Sequence, residues 1–398
     1  MKSSKRTNKE DKIADLLSRG VAEIIDREHL EKALKSGRRL RVKLGIDPTG
    51  AKIHLGRAVA LRKLREFQDL GHKVVLVIGG FTAQIGDPSD KLSKRPMLSE
   101  AAVRKNMADY KRQLGKILDL RKVEFRNNND WLRKLNFKEI ANLAESFSVL
   151  QMLERRNFKD RFSRREEISL REFLYPLMQG YDSVAIKADV ELGGTDQLFN
   201  LMAGRTIQKY YGKKEQDILV NEMLEGTDGR KMSTSWGNVI NISDEPNDMY
   251  GKVMAVDDKL IPKYFLLCTD LSEEEIESIV ASSNPRDAKA RLAWEITAYY
   301  HGDEAAKGAE SHFNRVFREK EVPLDIETFK APFPKMNIVD LIVAAEMAAS
   351  RSEAKRLIEQ GGVSVDEKRI DDPYQTIEIP TKGIILQVGK RKFKKIVK

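Results

Sequence analysis

Cysteine is almost absent: Cys268 stands alone in 398 residues, so no internal disulfide framework holds this chain together, and a reducing compartment fits. Histidine is scarce as well. Five scattered histidines give none of the Cys/His spacings that hold zinc, and no metal site of the chain's own is expected. There is no run of 18 apolar residues to cross a bilayer, and no apolar segment follows the basic start MKSSKRTNKEDK to make it a secretory signal. A cytoplasmic protein without a membrane partner is expected. Repeats and low-complexity segments are missing too, except that six of the last nine residues are Lys or Arg, which leaves disorder open at that end.

What is present is a 41% hydrophobic share under a 33% charged one, enough apolar material for real cores. At roughly 100 to 200 residues per domain, the length implies two or three domains. Lys and Arg (71) outnumber Asp and Glu (61), and the net charge of +10 suits a polyanion such as RNA, although it equally suits plain solubility.

Residues 40–47 alternate, with Leu40, Val42, Leu44 and Ile46 on one face and Arg41, Lys43, Gly45 and Asp47 on the other, as a strand requires. A Pro48-Thr49-Gly50 turn follows, then apolar residues at helical spacing (Leu61, Leu64, Phe67, Leu70) up to Gly71. The apolar run Val74–Ile78 before Gly79-Gly80 reads as a parallel strand buried on both faces, which completes a βαβ unit. Such units bind ligands beyond the carboxyl ends of their strands, so Asp47–Arg57 and Gly79–Arg95 should converge on one crevice. A charged, helix-rich stretch (98–186) follows, then an apolar-to-glycine segment Val190–Gly194 and a helix over 195–211. Residues 272–319 read as helical, Ala331-Pro332-Phe333-Pro334 as a linker, and 336–398 as a small module of two short helices and short strands.

His54 and Arg57 stand three apart where the first helix begins, so both can face one spot above unpaired backbone N–H groups, a place for phosphate; an isolated His-Leu-Gly-Arg also makes an ordinary capping turn. Gly229–Ser235 packs two cations, three hydroxyls and a glycine into a loop suited to polyphosphate. Tyr175, Gln179 and Asp182, at i, i+4 and i+7, share one helix face, either around a single ligand or as a polar stripe toward solvent.

His54-Leu55-Gly56-Arg57 and Lys231-Met232-Ser233-Thr234-Ser235, in this order with a nucleotide fold between them, resemble the paired signatures of class I aminoacyl-tRNA synthetases. LGIDPTGAKIHLGR (44–57), GDPSDK (86–91), the Tyr175/Gln179/Asp182 stripe and Gly193-Gly194-Thr195-Asp196-Gln197 resemble the tyrosyl branch over nearly the whole chain. The resemblance implies an α/β protein. Its Rossmann-like parallel-sheet catalytic domain (35–250, insertion at about 98–186) follows an N-terminal helical segment (1–34) and precedes a helical anticodon-binding domain (251–330) and a small α+β RNA-binding module (336–398). It implies tyrosine, ATP with Mg²⁺ and tRNA(Tyr) as ligands, and a homodimer paired through the insertion.

By the same resemblance, Asp182 accepts the substrate phenol, while Tyr175 and Gln179 with Asp87 take its ammonium group, and Asp196 and Gln197 serve the ribose and the amino-acid carboxylate. Asp47, Thr49, His54, Asp196, Lys231, Ser233 and Ser235 belong to the ATP site, His54, Arg57, Lys231 and Thr234 to catalysis, and Thr82, Lys91 and Arg95 to the loop that contacts pyrophosphate. Many members have a second histidine at Arg57, a second lysine at Thr234 and a tyrosine at Lys43. Lys43 is therefore open to three readings: donating to the phenol, pairing with a pocket carboxylate, or swinging away. In the tail, Arg351, Lys355 and Arg356 lie in a segment that resembles a ribosomal RNA-binding module, with 13 Lys and Arg against 9 Asp and Glu between 335 and 398. The competing readings are a tryptophan-activating enzyme and a synthetase-derived RNA-binding protein with little activation chemistry.

Overall fold

Six strands form the sheet that positions the site: β1 (Val21–Ile25), β2 (Arg41–Ile46), β3 (Lys73–Ile78), β4 (Val123–Asn127), β5 (Val190–Gly194) and β6 (Asp217–Asn221), in the order β1-β6-β5-β2-β3-β4. The computed structural model describes residues 8–48, 50–87, 99–318, 327–366, 368–389 and 392–398, with the side chains of Glu100, Ala108, Arg156 and Ser235 excepted. Thr49, Lys91 and Arg95 lie outside the described residues. The chain divides into two compact units, 1–306 and 307–398. Among the described residues no helix is long and apolar enough to cross a membrane.

β2, β3, β4, β5 and β6 run parallel, and β1 closes the β6 edge antiparallel. From β2 the chain moves outward through β3 to β4, then returns to the other side of β2 as β5 and β6. The order reverses between β2 and β5, and the crevice at their carboxyl ends is where a doubly wound sheet takes its ligand. Helix Leu55–Asp69 links β2 to β3 and buries Leu55, Ala58, Val59, Leu61, Leu64 and Phe67. Each of the leucine, valine and phenylalanine side chains contributes about 1.5–3 kcal/mol when fully buried. The helix stops at Gly71, whose φ of 89° a side chain would resist.

Two expectations change here. The segment before residue 35 is not purely helical, because β1 lies between the helices Lys9–Ser18 and Arg27–Lys35. It is fastened to the sheet by His29, whose Nδ1 meets the Asp217 carboxylate at 2.8 Å, with Asp26 grouped close by. The helix-rich insertion contains β4, a half-buried edge strand too polar to betray itself. The polar face of β2 is covered as well as the apolar one: Val42, Lys43 and Leu44 are all buried, because helix Leu170–Ile186 reaches over the face that the polar residues occupy.

Helices Pro246–Met254, Ile261–Cys268, Glu273–Ser282 and Pro285–His301 complete the first unit. Cys268 is buried among them, and burial pushes its thiol up to about 12. In the second unit, β7 (Thr328–Lys330), β8 (Lys335–Asn337), β9 (Val363–Val365), β10 (Lys368–Arg369), β11 (Thr376–Glu378), β12 (Ile384–Val388) and β13 (Lys392–Val397) form a five-stranded sheet, β10-β9-β12-β13-β7, and a two-stranded one, β11-β8. Helices Ile338–Ala344 and Arg351–Glu359 pack on a core that includes Ile342, Ala354, Ile358, Leu386 and Ile396. The expected linker 331–334 joins β7 to β8 inside this unit, with Ala331 buried and its N–H donating to the Val397 carbonyl. The basic end is likewise ordered over β13, whose pairing with β12 and β7 outweighs the charge of its lysines.

Candidate active site at the strand switch point

The two signature segments touch. The Gly56 N–H donates to Met232 Sδ at 3.4 Å, the Leu55 N–H to the Ile240 carbonyl at 2.8 Å, and the Ile242 N–H to the Ile53 carbonyl at 2.9 Å. His54 caps the helix Leu55–Asp69, its Nδ1 accepting from the Arg57 N–H at 3.3 Å. Acceptance at Nδ1 leaves the ring proton on Nε2, so the imidazole is a donor on its other edge. The Arg57 guanidinium donates to the Tyr110 hydroxyl at 2.6 Å. In the second segment Lys231 Nζ lies 3.0 Å from Asp196 Oδ2, beyond the carboxyl end of β5. The Asn238 amide braces this loop, accepting from the Ser233 N–H and donating to Asp228 and to the Lys231 carbonyl. Ser233 is half-buried and Thr234 exposed, while the Ser235 side chain lies outside the description.

A hydrogen-bonded chain crosses the crevice. Asp182, buried, accepts from Trp131 Nε1 at 2.8 Å and from Asn128 Nδ2 at 3.3 Å. Asn128 Nδ2 also donates to Thr82 Oγ1 at 3.0 Å, Thr82 donates to Asp47 Oδ1 at 2.7 Å, and Tyr175 donates its hydroxyl to Asp47 Oδ2 at 2.9 Å. Gly79 leaves room for this chain, since a Cβ there would displace the Asp47 carboxylate and the Thr82 hydroxyl. Gln197 Nε2 donates to Asp87 Oδ2 at 2.7 Å.

Desolvation dominates the charges of these groups. It pushes the Asp182 carboxyl up to about 7, against the pull of Lys43, Trp131 and Asn128, and the Asp47 carboxyl up to about 6, against Thr82 and Tyr175. The Tyr175 hydroxyl is raised well above its ordinary range by burial and by the Asp47 charge.

Tyr175 and Asp182 are buried and Gln179 is half-buried, so the stripe does not face solvent. Its helix, Leu170–Ile186, is fixed at its start by a capping box between Ser169 and Glu172, and Glu172 in turn accepts from the buried Arg161 at 2.7 Å. Lys43, left open by the sequence, pairs with Glu191 at 2.9 Å, both side chains fully enclosed.

Residues 35–318 match the tRNA synthetases class I (W and Y), and residues 336–379 match the S4 domain. The chain belongs to that class I synthetase family. It is 50% identical over 387 residues to the tyrosine–tRNA ligase of Thermotoga maritima, covering 96% of each chain, and 46% identical over 398 residues to that of Carboxydothermus hydrogenoformans, covering 96% and 97%. A C-terminally truncated mitochondrial tyrosyl-tRNA synthetase of Coccidioides posadasii superposes with a TM-score of 0.61 at 26% identity, over 75% of this chain and 91% of that one. The tyrosyl-tRNA synthetase of Archaeoglobus fulgidus, solved with L-tyrosine, shares the fold at a TM-score of 0.61 and 20% identity, over 76% and 100%.

In this synthetase several site residues escaped the sequence reading. Asn128 and Trp131 follow β4, and the run Asn127-Asn128-Asn129 after Val123-Glu124-Phe125 was the available sign of a strand end. Glu191 is a carboxylate inside an otherwise apolar strand, the register partner of Lys43. Arg155, buried in the insertion, stacks on Phe199 with its guanidinium carbon 4.7 Å from the ring centre.

Proposed function

We propose that this synthetase activates L-tyrosine with ATP to tyrosyl adenylate and pyrophosphate, then transfers the tyrosyl group to the 3′ end of tRNA(Tyr). The observation that carries the tyrosine reading is the buried Asp182 carboxylate, held by Trp131 and Asn128 and joined through Asn128 and Thr82 to Asp47 beyond the end of β2. The identity to tyrosine–tRNA ligases over 96% of the chain supports it independently. A phenol hydroxyl gives that buried carboxylate a further donor, whereas a phenyl ring withholds it and leaves acceptor capacity unused away from water.

In this reading Tyr175, Gln179 and Asp87 take the ammonium group, and Gln197 and Asp196 the carboxylate and ribose. Asp47, Thr49, Ser233 and Ser235 line the ATP site, and Lys91 and Arg95 receive pyrophosphate; Thr82, expected with them, is instead buried with its hydroxyl given to Asp47 and supports the site from beneath. The tyrosine carboxylate attacks the α-phosphorus in line, a P–O bond forms, and the α–β bond breaks to release pyrophosphate. A carboxylate is nucleophilic at neutral pH, so no general base is needed; His54, Arg57, Lys231 and Thr234 hold the phosphates and neutralise developing charge. Mg²⁺ supplies further charge when bound with ATP. The oxygens that suit it are those of the nucleotide and water. A terminal ribose hydroxyl of tRNA then attacks the adenylate carbonyl and AMP leaves. The decisive experiment is pyrophosphate exchange into ATP with tyrosine, phenylalanine or tryptophan in turn. Exchange with tyrosine alone is expected; exchange with tryptophan alone, or with none, sinks the proposal.

The cytoplasm is the proposed compartment. The 251–330 domain is proposed to meet the anticodon stem, and the S4 module to bind tRNA through Arg351, Lys355 and Arg356. These three lie on the helix Arg351–Glu359, with Lys355 Nζ 5.1 Å from the centre of the Tyr374 ring and that ring exposed. Alanine at Lys355 and Arg356 is expected to weaken tRNA binding and to flatten the slope of log K against log salt by about 0.7–0.9 for each phosphate that is no longer neutralised. An unchanged slope in a filter-binding series would count against an RNA-binding role for these two side chains.

A homodimer through the insertion is proposed from its exposed apolar side chains: Phe137 is 87% exposed and Leu170 79%, with Val149, Leu150 and Phe162 also bare. A monomer rarely leaves such a set in water. Leu150→Asp is expected to convert the sedimenting species from two chains to one; an unaltered sedimentation coefficient speaks against this interface.

A further inference from the structure

Lys43 and Glu191 face each other as register partners on the parallel strands β2 and β5, and both side chains are entirely enclosed. Each of the three ammonium protons of Lys43 has an acceptor: the Gln179 carbonyl at 2.8 Å, Ser183 Oγ at 2.8 Å and Glu191 Oε1 at 2.9 Å. Glu191 in turn accepts from Gln179 Nε2 at 3.2 Å, from Ser183 Oγ at 3.0 Å and from Gln216 Nε2. Replacing a buried ion pair by apolar side chains of like volume is often neutral or stabilising, so stability alone is a poor reason for this one.

Its neighbours give a better reason. The pair grips one turn of the helix Leu170–Ile186 at Gln179 and Ser183, through backbone and side chain, and Asp182 lies within that turn. We infer that Lys43 is a positioning residue for amino-acid selection: with Glu191 it fixes the place and the charge of the Asp182 carboxylate. This rests on the reading in which Asp182 accepts the phenol hydroxyl. The groups that act on Asp182 come from every side. Lys43 on β2 attracts its charge, Glu191 on β5 opposes it, Trp131 and Asn128 after β4 donate to it, and the Tyr175 hydroxyl stands on its own helix. Of these, Lys43 does most to counter the cost of burying the carboxylate. Without it the pocket favours a protonated carboxyl, a weaker acceptor for a phenol.

The test is pyrophosphate exchange by Lys43→Met from pH 6 to 9 with tyrosine and with phenylalanine. Lys43→Met/Glu191→Met, which leaves no unpaired buried charge, takes its place if the single variant does not fold. Tyrosine kcat/KM at pH 7 is expected to fall about tenfold or more, mostly through KM, and its rise with pH to move about one unit or more to the alkaline side. Phenylalanine kcat/KM should hold or rise, since a neutral carboxyl costs less beside a phenyl ring, and the KM for ATP should hold. An unmoved pH profile, or parallel losses for tyrosine, phenylalanine and ATP, overturns the inference. Asp182→Asn is measured alongside. Selectivity lost there but kept in Lys43→Met overturns this inference alone, and selectivity kept in both overturns the reading beneath it.

Discussion

Asp182→Asn is expected to lower tyrosine kcat/KM about 10- to 150-fold, the 1.5–3 kcal/mol of a hydrogen bond to a charged group, and to leave the KM for ATP within about twofold. Phenylalanine should gain, because its ring no longer strands a desolvated carboxylate. Sites built around a substrate hydroxyl reject the analogue without it by ~10⁴–10⁵, a figure measured on tyrosine-activating enzymes themselves, and most of that ratio should vanish. Equal losses of tyrosine and ATP use would show that Asp182 supports the fold rather than the phenol.

The same substitution has an opposite consequence for stability. Burial raises the Asp182 carboxyl from 3.8 to about 7, so between those values the folded protein holds a proton that the unfolded chain has released. Stability therefore falls as pH rises through that window, by about 4 kcal/mol once the group is fully ionised, and the loss is absent below about pH 4. Asparagine has no charge to bury. The thermal midpoint of Asp182→Asn relative to the parent should climb between pH 5 and pH 8, and a pH-independent difference would refute the raised carboxyl.

Lys231→Ala is expected to slow tyrosyl-adenylate formation about 10²- to 10³-fold, as the loss of one donor aimed at developing charge does, with little change in tyrosine affinity. In the resting site the ammonium group is held by Asp196 at 3.0 Å, so it must exchange that carboxylate for phosphate as the nucleotide arrives. Stopped-flow measurement of the single-turnover rate separates this from weaker binding. A wild-type rate with a raised KM would make Lys231 an anchor for ATP and remove it from the chemical step.

The sequence made legible what depends on neighbours along the chain. The apolar run at Val74–Ile78 fell in β3 and the segment Val190–Gly194 became β5, because an uninterrupted apolar stretch before glycine has few other uses. The stripe Tyr175, Gln179 and Asp182 came out on one helix, and the contact between Gly56 and Met232 joins the two signature segments. What depends on register stayed hidden. Lys43 read as the polar side of an alternating strand, and only the pairing of β2 with β5 sets it against Glu191, 148 positions on. Asn128 serves Asp182 and Thr82 only because β4 runs beside β3, and β4 has no apolar face long enough to announce itself. At the basic end, charge pointed to disorder, while the alternation that buries Ile396 in β13 was too short to outweigh it.

The lone sulfhydryl among the helices of the first unit has a practical use. With its thiol pushed up to about 12 and its side chain enclosed, Cys268 gives almost no thiolate at neutral pH, so maleimides and disulfide reagents should pass it by. A cysteine introduced at the exposed Ser352, on the helix of the S4 module, would then be the one fast-reacting handle in the chain. A fluorophore attached there would report the arrival of RNA on that module with no prior removal of a native cysteine.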